Sequence, residues 1–325
     1  MPKNLFRLFY CFCLIVTGFL ANALPARACS VCGCGDPLAS AGTNIPMSGI
    51  FHLGFEWDYL TASALADTNN VAIESLIQRT LNITLSYNPS SDLTLIAQIP
   101  IVNKQWWTTA FPAPPPNGYG VMSAYNTGLG DINIGLRYFF WKDIDLDHQQ
   151  SWALAFSSSL YLPTGNSTNP NVPDPHAELG TGAFGASEGL LLTHYAGPFN
   201  LSANVTAVIR SVNNTGIYAG YQFANAIRWG IQGQYNVADP LALSLSLDGR
   251  YAEQDSFAQD EGLVPNGDLV PNTGGLLWDL TPGVNWAAFD GVGLYAKVQI
   301  PVATYLTGDQ TTGPVYSVGT QFTFR

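Results

Sequence analysis

Between Leu76 and Tyr87 apolar and polar residues alternate. Ile77, Leu81, Ile83, Leu85 and Tyr87 share one parity, and Gln78, Thr80, Asn82, Thr84 and Ser86 share the other. Leu241–Tyr251 repeats the pattern, with Leu241, Leu243, Leu245, Leu247 and Tyr251 against Ala242, Ser244, Ser246, Asp248 and Arg250. At the C-terminus Tyr316, Val318, Phe322 and Phe324 oppose Ser317, Gly319, Gln321 and Thr323. A helix would spread each set around its circumference, whereas a strand keeps the two sets on two faces. Arg79 interrupts the apolar set, which fits a position near a rim where its head can reach water.

The same reading along the chain predicts twelve strands, beginning near Ser48, Leu76, Asp92, Leu129, Ser151, Gly182, Phe199, Tyr218, Leu241, Leu276, Val292 and Val315. Most can supply the roughly 9–11 residues with which a tilted strand crosses a bilayer. Short links follow the even strands: Asn88–Ser91, Lys142–Gln150, Ala196–Pro198, Ala238–Pro240 and Asp290–Gly291. Long ones follow most odd strands: Thr61–Ser75, Lys104–Gly128, Thr164–Thr181, Glu253–Gly275 and Ala303–Pro314. Only Val212–Ile217, after strand seven, breaks the rule. Sorting of links by parity predicts a transmembrane antiparallel β-barrel with short periplasmic turns, long extracellular loops and both termini in the periplasm. Trp57, Tyr59, Trp106, Trp107, Tyr218, Tyr251 and Trp278 fall at its outer end. Trp141, Trp152, Tyr195, Tyr235, Trp286, Phe322 and Phe324 fall at the other, as two aromatic girdles require.

Composition sharpens this picture. Of 325 residues 47% are hydrophobic but only 11% are charged, with 32 Gly and a net charge of −11. That excludes collagen, coiled coil and charge-rich disorder, and speaks against nucleic-acid binding. Lys3 and Arg7, the apolar Leu8–Leu20 and Ala26-Arg27-Ala28 read as a cleaved signal peptide over residues 1–28. Residues 29–47 then form a Cys-rich periplasmic segment, and residues 48–325 the barrel. The remaining chain carries 9 Lys+Arg against 23 Asp+Glu. Loops take much of that acid, in Asp67, Asp174, Glu178, Asp255, Asp260, Glu261, Asp268 and Asp309.

With the apolar face toward lipid, the polar face lines the lumen. Its charged candidates are Glu56, Asp58, Arg137, Glu188, Arg210, Arg228, Asp248, Arg250, Asp279 and Lys297. Charges at membrane depth must pair or line water. Both a stiffening salt-bridge network and a solute path with opposed charges meet that condition, and the pattern leaves both open.

Gly128-Leu129-Gly130-Asp131 leads into Ile132–Tyr138, followed by Leu160–Gly165 and then Leu179-Gly180-Thr181-Gly182. In this order the motifs resemble the transporter-like outer-membrane barrels of the putative MetA-pathway of phenol degradation family. The resemblance spans Ser48 to Arg325. It implies a monomeric barrel that passes small solutes, aromatic or hydrophobic ones among them.

Cys29, Cys32 and Cys34, with Asp36, form a C-x-x-C-x-C element that the resemblance does not explain. A disulfide plus one thiol suits the oxidising periplasm. Closely spaced thiolates also suit Cu(I) or Zn, and a redox or partner contact is a third reading. Haem attachment is excluded because Gly33 stands where His is required. His52, His148, His176 and His194 have no nucleophile motif beside them, so no enzyme activity is expected. The expected function is an outer-membrane channel for small solutes, in contact with membrane lipid and lipopolysaccharide. The alternatives are a soft-metal or thiol module carried on a structural barrel, with a periplasmic partner, and a non-conducting adhesion or assembly barrel.

Overall fold

The computed structural model describes residues 46–65, 73–111, 120–145, 147–169, 172, 174–257, 268–270, 272–308 and 310–325. They form an all-β, closed barrel of twelve antiparallel strands. The first strands are β1 (Phe51–Leu65), β2 (Ile73–Tyr87) and β3 (Leu93–Phe111). Strand β4 has two segments, Gly120–Leu129 and Ile132–Asp145, both paired to β3. Next come β5 (Gln150–Leu162), β6 (Gly185–Ala196), β7 (Phe199–Arg210) and β8 (Ala226–Ala238). The ring ends with β9 (Leu241–Ala252), β10 (Gly275–Phe289), β11 (Val292–Leu306) and β12 (Val315–Phe324). Strand β1 pairs with both β2 and β12, opposing Glu56 to Asn82 on one side and to Gly319 on the other. Closure bonds each strand of the ring to two neighbours, as a lipid environment demands, while the upper segment Gly120–Leu129 pairs with β3 alone among the described residues.

Alternation decides which way each side chain points. On β9 the exposed Leu243, Leu245 and Leu247 face outward, while Ser244, Ser246, Asp248 and Arg250 face the lumen. On β2 the buried Gln78, Thr80, Asn82 and Ser86 face inward. Arg79 lies on the outer face, hydrogen-bonded to Asn103 at 3.0 Å and set 5.7 Å from the centre of the Tyr59 ring. Trp229 and Trp278 meet edge to face on the same outer surface. Gly249 makes that possible, because a Cβ there would lie 2.2 Å from the Trp229 ring.

Three features depart from the sequence pattern. Strand eight begins at Ala226 rather than near Tyr218, because 211–225 is a loop with a 3-10 turn at Gly216–Tyr218. The link after strand seven is therefore long, and the parity rule has no exception. Lys104–Gly128 is mostly strand: β3 runs to Phe111 and β4 resumes at Gly120, so this part of the wall stands tall. Trp106 and Tyr218 do not join the outer girdle. Trp106 points into the barrel mouth, and Tyr218 belongs to the loop layer.

Candidate functional site: a charged lumen beneath a folded-in loop

Nine of the ten charged lumen candidates share the inward parity of their strands. Glu188 is the exception. It lies on β6 with the exposed Leu190, which is 42% accessible, while inward Ser187 is 1% accessible. Its cross-strand neighbour Ser158 donates to it at 2.8 Å on the same outer face. Read as strand, Gly182 to Gly185 would reach further up the wall; the strand instead starts at Gly185, which puts Glu188 near the outer rim.

The inward charges form a basic row and an acidic group that meet on β9, where Asp248 and Arg250 share the inward face. One row of directly paired residues runs Arg137, Ser157, Gly189, Thr206, Arg228 and Arg250, across β4 to β9. Nε of Arg228 is buried without a hydrogen-bond partner among the described residues. Arg210 lies higher, 5.8 Å from the centre of the Phe223 ring. The acids gather on β1, β9 and β10. Glu56 pairs with Lys297 at 2.7 Å, and Asp58 accepts from Ser317 at 2.5 Å and Asn82 at 2.8 Å. Asp248 accepts from Ser246 and Thr281, and its cross-strand partner Asp279 accepts from Gln299 at 2.7 Å. Near the short-turn end a recess of about 350 Å³, part of it open to solvent, lies between His52, Glu56, Ser86 and Tyr295.

Above this lumen the described residues of the link after β5, within 163–184, fold inward, with Val172 and Ala177 packed on Leu76 and Trp106. Its base is tied by the glycine-rich motifs, which the sequence marks without revealing that they meet. Asp131, at the break in β4, accepts from Gly165 N at 3.0 Å, Thr181 N at 2.8 Å and Thr181 Oγ1 at 2.7 Å. Thr164 Oγ1 donates to Gly130 O and accepts from Ile132 N. Gly165 and Gly180 cross backbone to backbone, where a Cβ on Gly165 would come within 2.6 Å of Gly180 Cα.

The tip of the link is held from the wall. Lys104, inward on β3, donates to the carbonyls of His176 at 2.7 Å and Glu178 at 2.6 Å. Val172 and Ala177 bury against Leu76 and Trp106. Glu178 is 1% exposed and accepts from Asn169 N and Asn126. Burial pushes its carboxyl up to about 7, against the opposing pull of those hydrogen bonds and Lys104. The links after β7 and β9 lie alongside. Tyr218 donates to Val172 O, and Asp255 bonds His176, Tyr221 and Ala224 N. Sequence reading assigned Lys104 to a loop and Asp131 to a motif. The tall wall and the long-range contact that give them their roles have no local signal.

Cys29, Cys32, Cys34 and Asp36 lie outside the described residues.

A closed antiparallel ring with an apolar belt outside and a polar lumen inside is the architecture of a bacterial outer-membrane β-barrel. Residues 58–305 match the family model described as "Putative MetA-pathway of phenol degradation", and the chain belongs to that family. The barrel is similar to an outer membrane channel from Pseudomonas putida F1, with TM-score 0.58 and 13% identity over 87% of this chain and 97% of that one. It is also similar to the transport unit of the autotransporter AIDA-I from Escherichia coli, with TM-score 0.48 and 9% identity over 87% of this chain and 93% of that one. No curated protein sequence matches it.

Proposed function

We propose that the protein is an outer-membrane channel for small solutes, whose lumen charges select and whose folded-in loop limits size. The observation that carries this reading is the arginine row on β4, β8 and β9, set three to five strands away from Glu56 and Asp58 on β1. A network built only to stiffen the wall would place each base beside an acid, as Lys297 stands against Glu56. Here Arg228 and Arg250 are direct cross-strand neighbours, and like charges so placed destabilise a sheet unless neighbouring acids, water or a bound solute offset them. Hydroxyl, amide and charged groups line the lumen, so it favours small molecules with a polar or ionisable group, aromatic ones included.

Catalysis has no place in this account: transit needs only binding that is weak enough to release. Liposome swelling with a panel of neutral, acidic and basic aromatic solutes tests the reading. The intact barrel should admit small members of the panel, and Arg228→Glu should slow acidic solutes relative to basic ones. Identical rates for all charge classes in both proteins would contradict it.

A further inference from the structure

His176 sits in the folded-in loop with both ring nitrogens on carboxylates. Nδ1 is 2.9 Å from Asp174 Oδ1, and Nε2 is 2.9 Å from Asp255 Oδ2. Asp174 belongs to the same loop, but Asp255 belongs to the link after β9 and is 1% exposed. A neutral imidazole has one N–H and can donate to only one of these oxygens, so two ionised carboxylates at this distance require the imidazolium. Asp255 is the hub of the layer. Tyr221 donates to its Oδ2 at 2.6 Å, Ala224 N donates to its Oδ1 at 2.7 Å, and its own N–H donates to Thr273. The rings of Tyr221 and Phe223 stand edge-on to the imidazole. Three links thus meet at one side chain, directly over the lumen.

We propose that His176 is the latch of a pH-responsive gate: its imidazolium locks the folded-in loop to the link carrying Asp255, and loss of that proton releases the loop from the barrel mouth. The inference rests on the channel reading above. Among the described residues the other ionisable groups around the loop are Lys104 on the wall, Glu178 within the loop, Asp131 at its base, Tyr218 and Tyr221 from the neighbouring link, and Arg210 over the Phe223 ring. Without its second proton His176 leaves one carboxylate without a donor from the ring, and the two loops lose their charged tie. Glu178 works in the same direction, because rising pH places a charge on a buried carboxyl that Lys104 only partly compensates. Asp174 supports the closed state: burial alone would raise its carboxyl, but His176 holds it below the ordinary carboxylate range.

Two readouts on the full-length protein between pH 5.5 and 8.5 decide the matter. Hydrogen exchange of residues 166–178, corrected for intrinsic rates, should accelerate at least tenfold as pH rises, and planar-bilayer open probability should rise several-fold. In His176→Gln, whose side chain cannot titrate, both responses should flatten; in Glu178→Gln the greater part of each should remain. Wild-type exchange that is flat with pH, or a full response in His176→Gln, overturns the latch. A barrel that passes no ions while its exchange still switches contradicts the channel reading and leaves the latch standing.

Discussion

Asp131 and Thr181, separated by 50 residues in the chain, are joined twice: one carboxylate oxygen accepts from both the backbone N–H and the hydroxyl of the threonine. The other oxygen takes the N–H of Gly165, so a single side chain staples both ends of the folded-in loop to the break in β4. The loop is thereby aimed into the barrel instead of away from it.

Asp131→Ala removes the acceptor for three donors at once. Each buried donor left unmet costs roughly 1–3 kcal/mol, so the loop base should open while the barrel, built on strand pairing, stays closed. Heat-modifiable migration on gels should be unchanged, and proteinase K should cut within residues 163–184 faster than in the wild type. Unchanged proteolysis would show that the staple does not hold the loop.

The direction of side chains along β9 gives a second outcome. Leu245 is 52% exposed on the outer face and Ser246 points inward. Leu245→Arg should cost roughly 2–4 kcal/mol if it sits at mid-membrane, since the lipid face tolerates charge poorly there. Ser246→Arg should fold with a smaller penalty and alter ion selectivity more. Equal stability losses in urea unfolding would contradict the assignment of faces.

Glu188 should behave as a lipid-facing residue. Glu188→Leu should leave ion selectivity unchanged and should stabilise the barrel by roughly 0–1 kcal/mol, because an acid near the interface of the lipid face costs little. Arg137→Leu, on the inward face, should shift selectivity. A shift of similar size from Glu188→Leu would return that residue to the lumen.

Much of this barrel was legible in the chain because its cause is local. Period two in segments such as Leu241–Tyr251 fixes a strand and both its faces, and the short links fix the hairpins. Glu188 was misplaced because an odd-numbered error in where a strand begins, here the three residues from Gly182 to Gly185, inverts its faces. That strand begins at Gly185, after the stretch 182–184, which carries no alternation. The loop layer was not legible for a different reason. Asp255 meets His176 across 79 residues, and Lys104 reaches Glu178 across 74, through a fold that hydropathy alone does not describe. The motifs marked the loop base as special, but only the packed chain shows that Asp131, Gly165 and Thr181 touch.

Glu178 supplies a pH effect with a definite sign. Its carboxyl is raised from 4.5 to about 7 by burial, so the closed loop binds the proton more tightly than the open one. Its contribution to closure is therefore fully present below about pH 4.5 and is lost as pH rises to about 7. Glu178→Gln should keep residues 166–178 more protected than wild type at pH 8 and equally protected at pH 4.5. A variant less protected than wild type at pH 8 would reverse the sign.

Planar-bilayer conductance tests the central claim most directly, with the full-length barrel compared with one lacking residues 166–178. A channel narrowed by its own loop should show discrete steps that grow several-fold once the segment is removed, with a selectivity that Arg228→Glu shifts toward cations. Two correctly folded barrels that both fail to pass current would contradict the account.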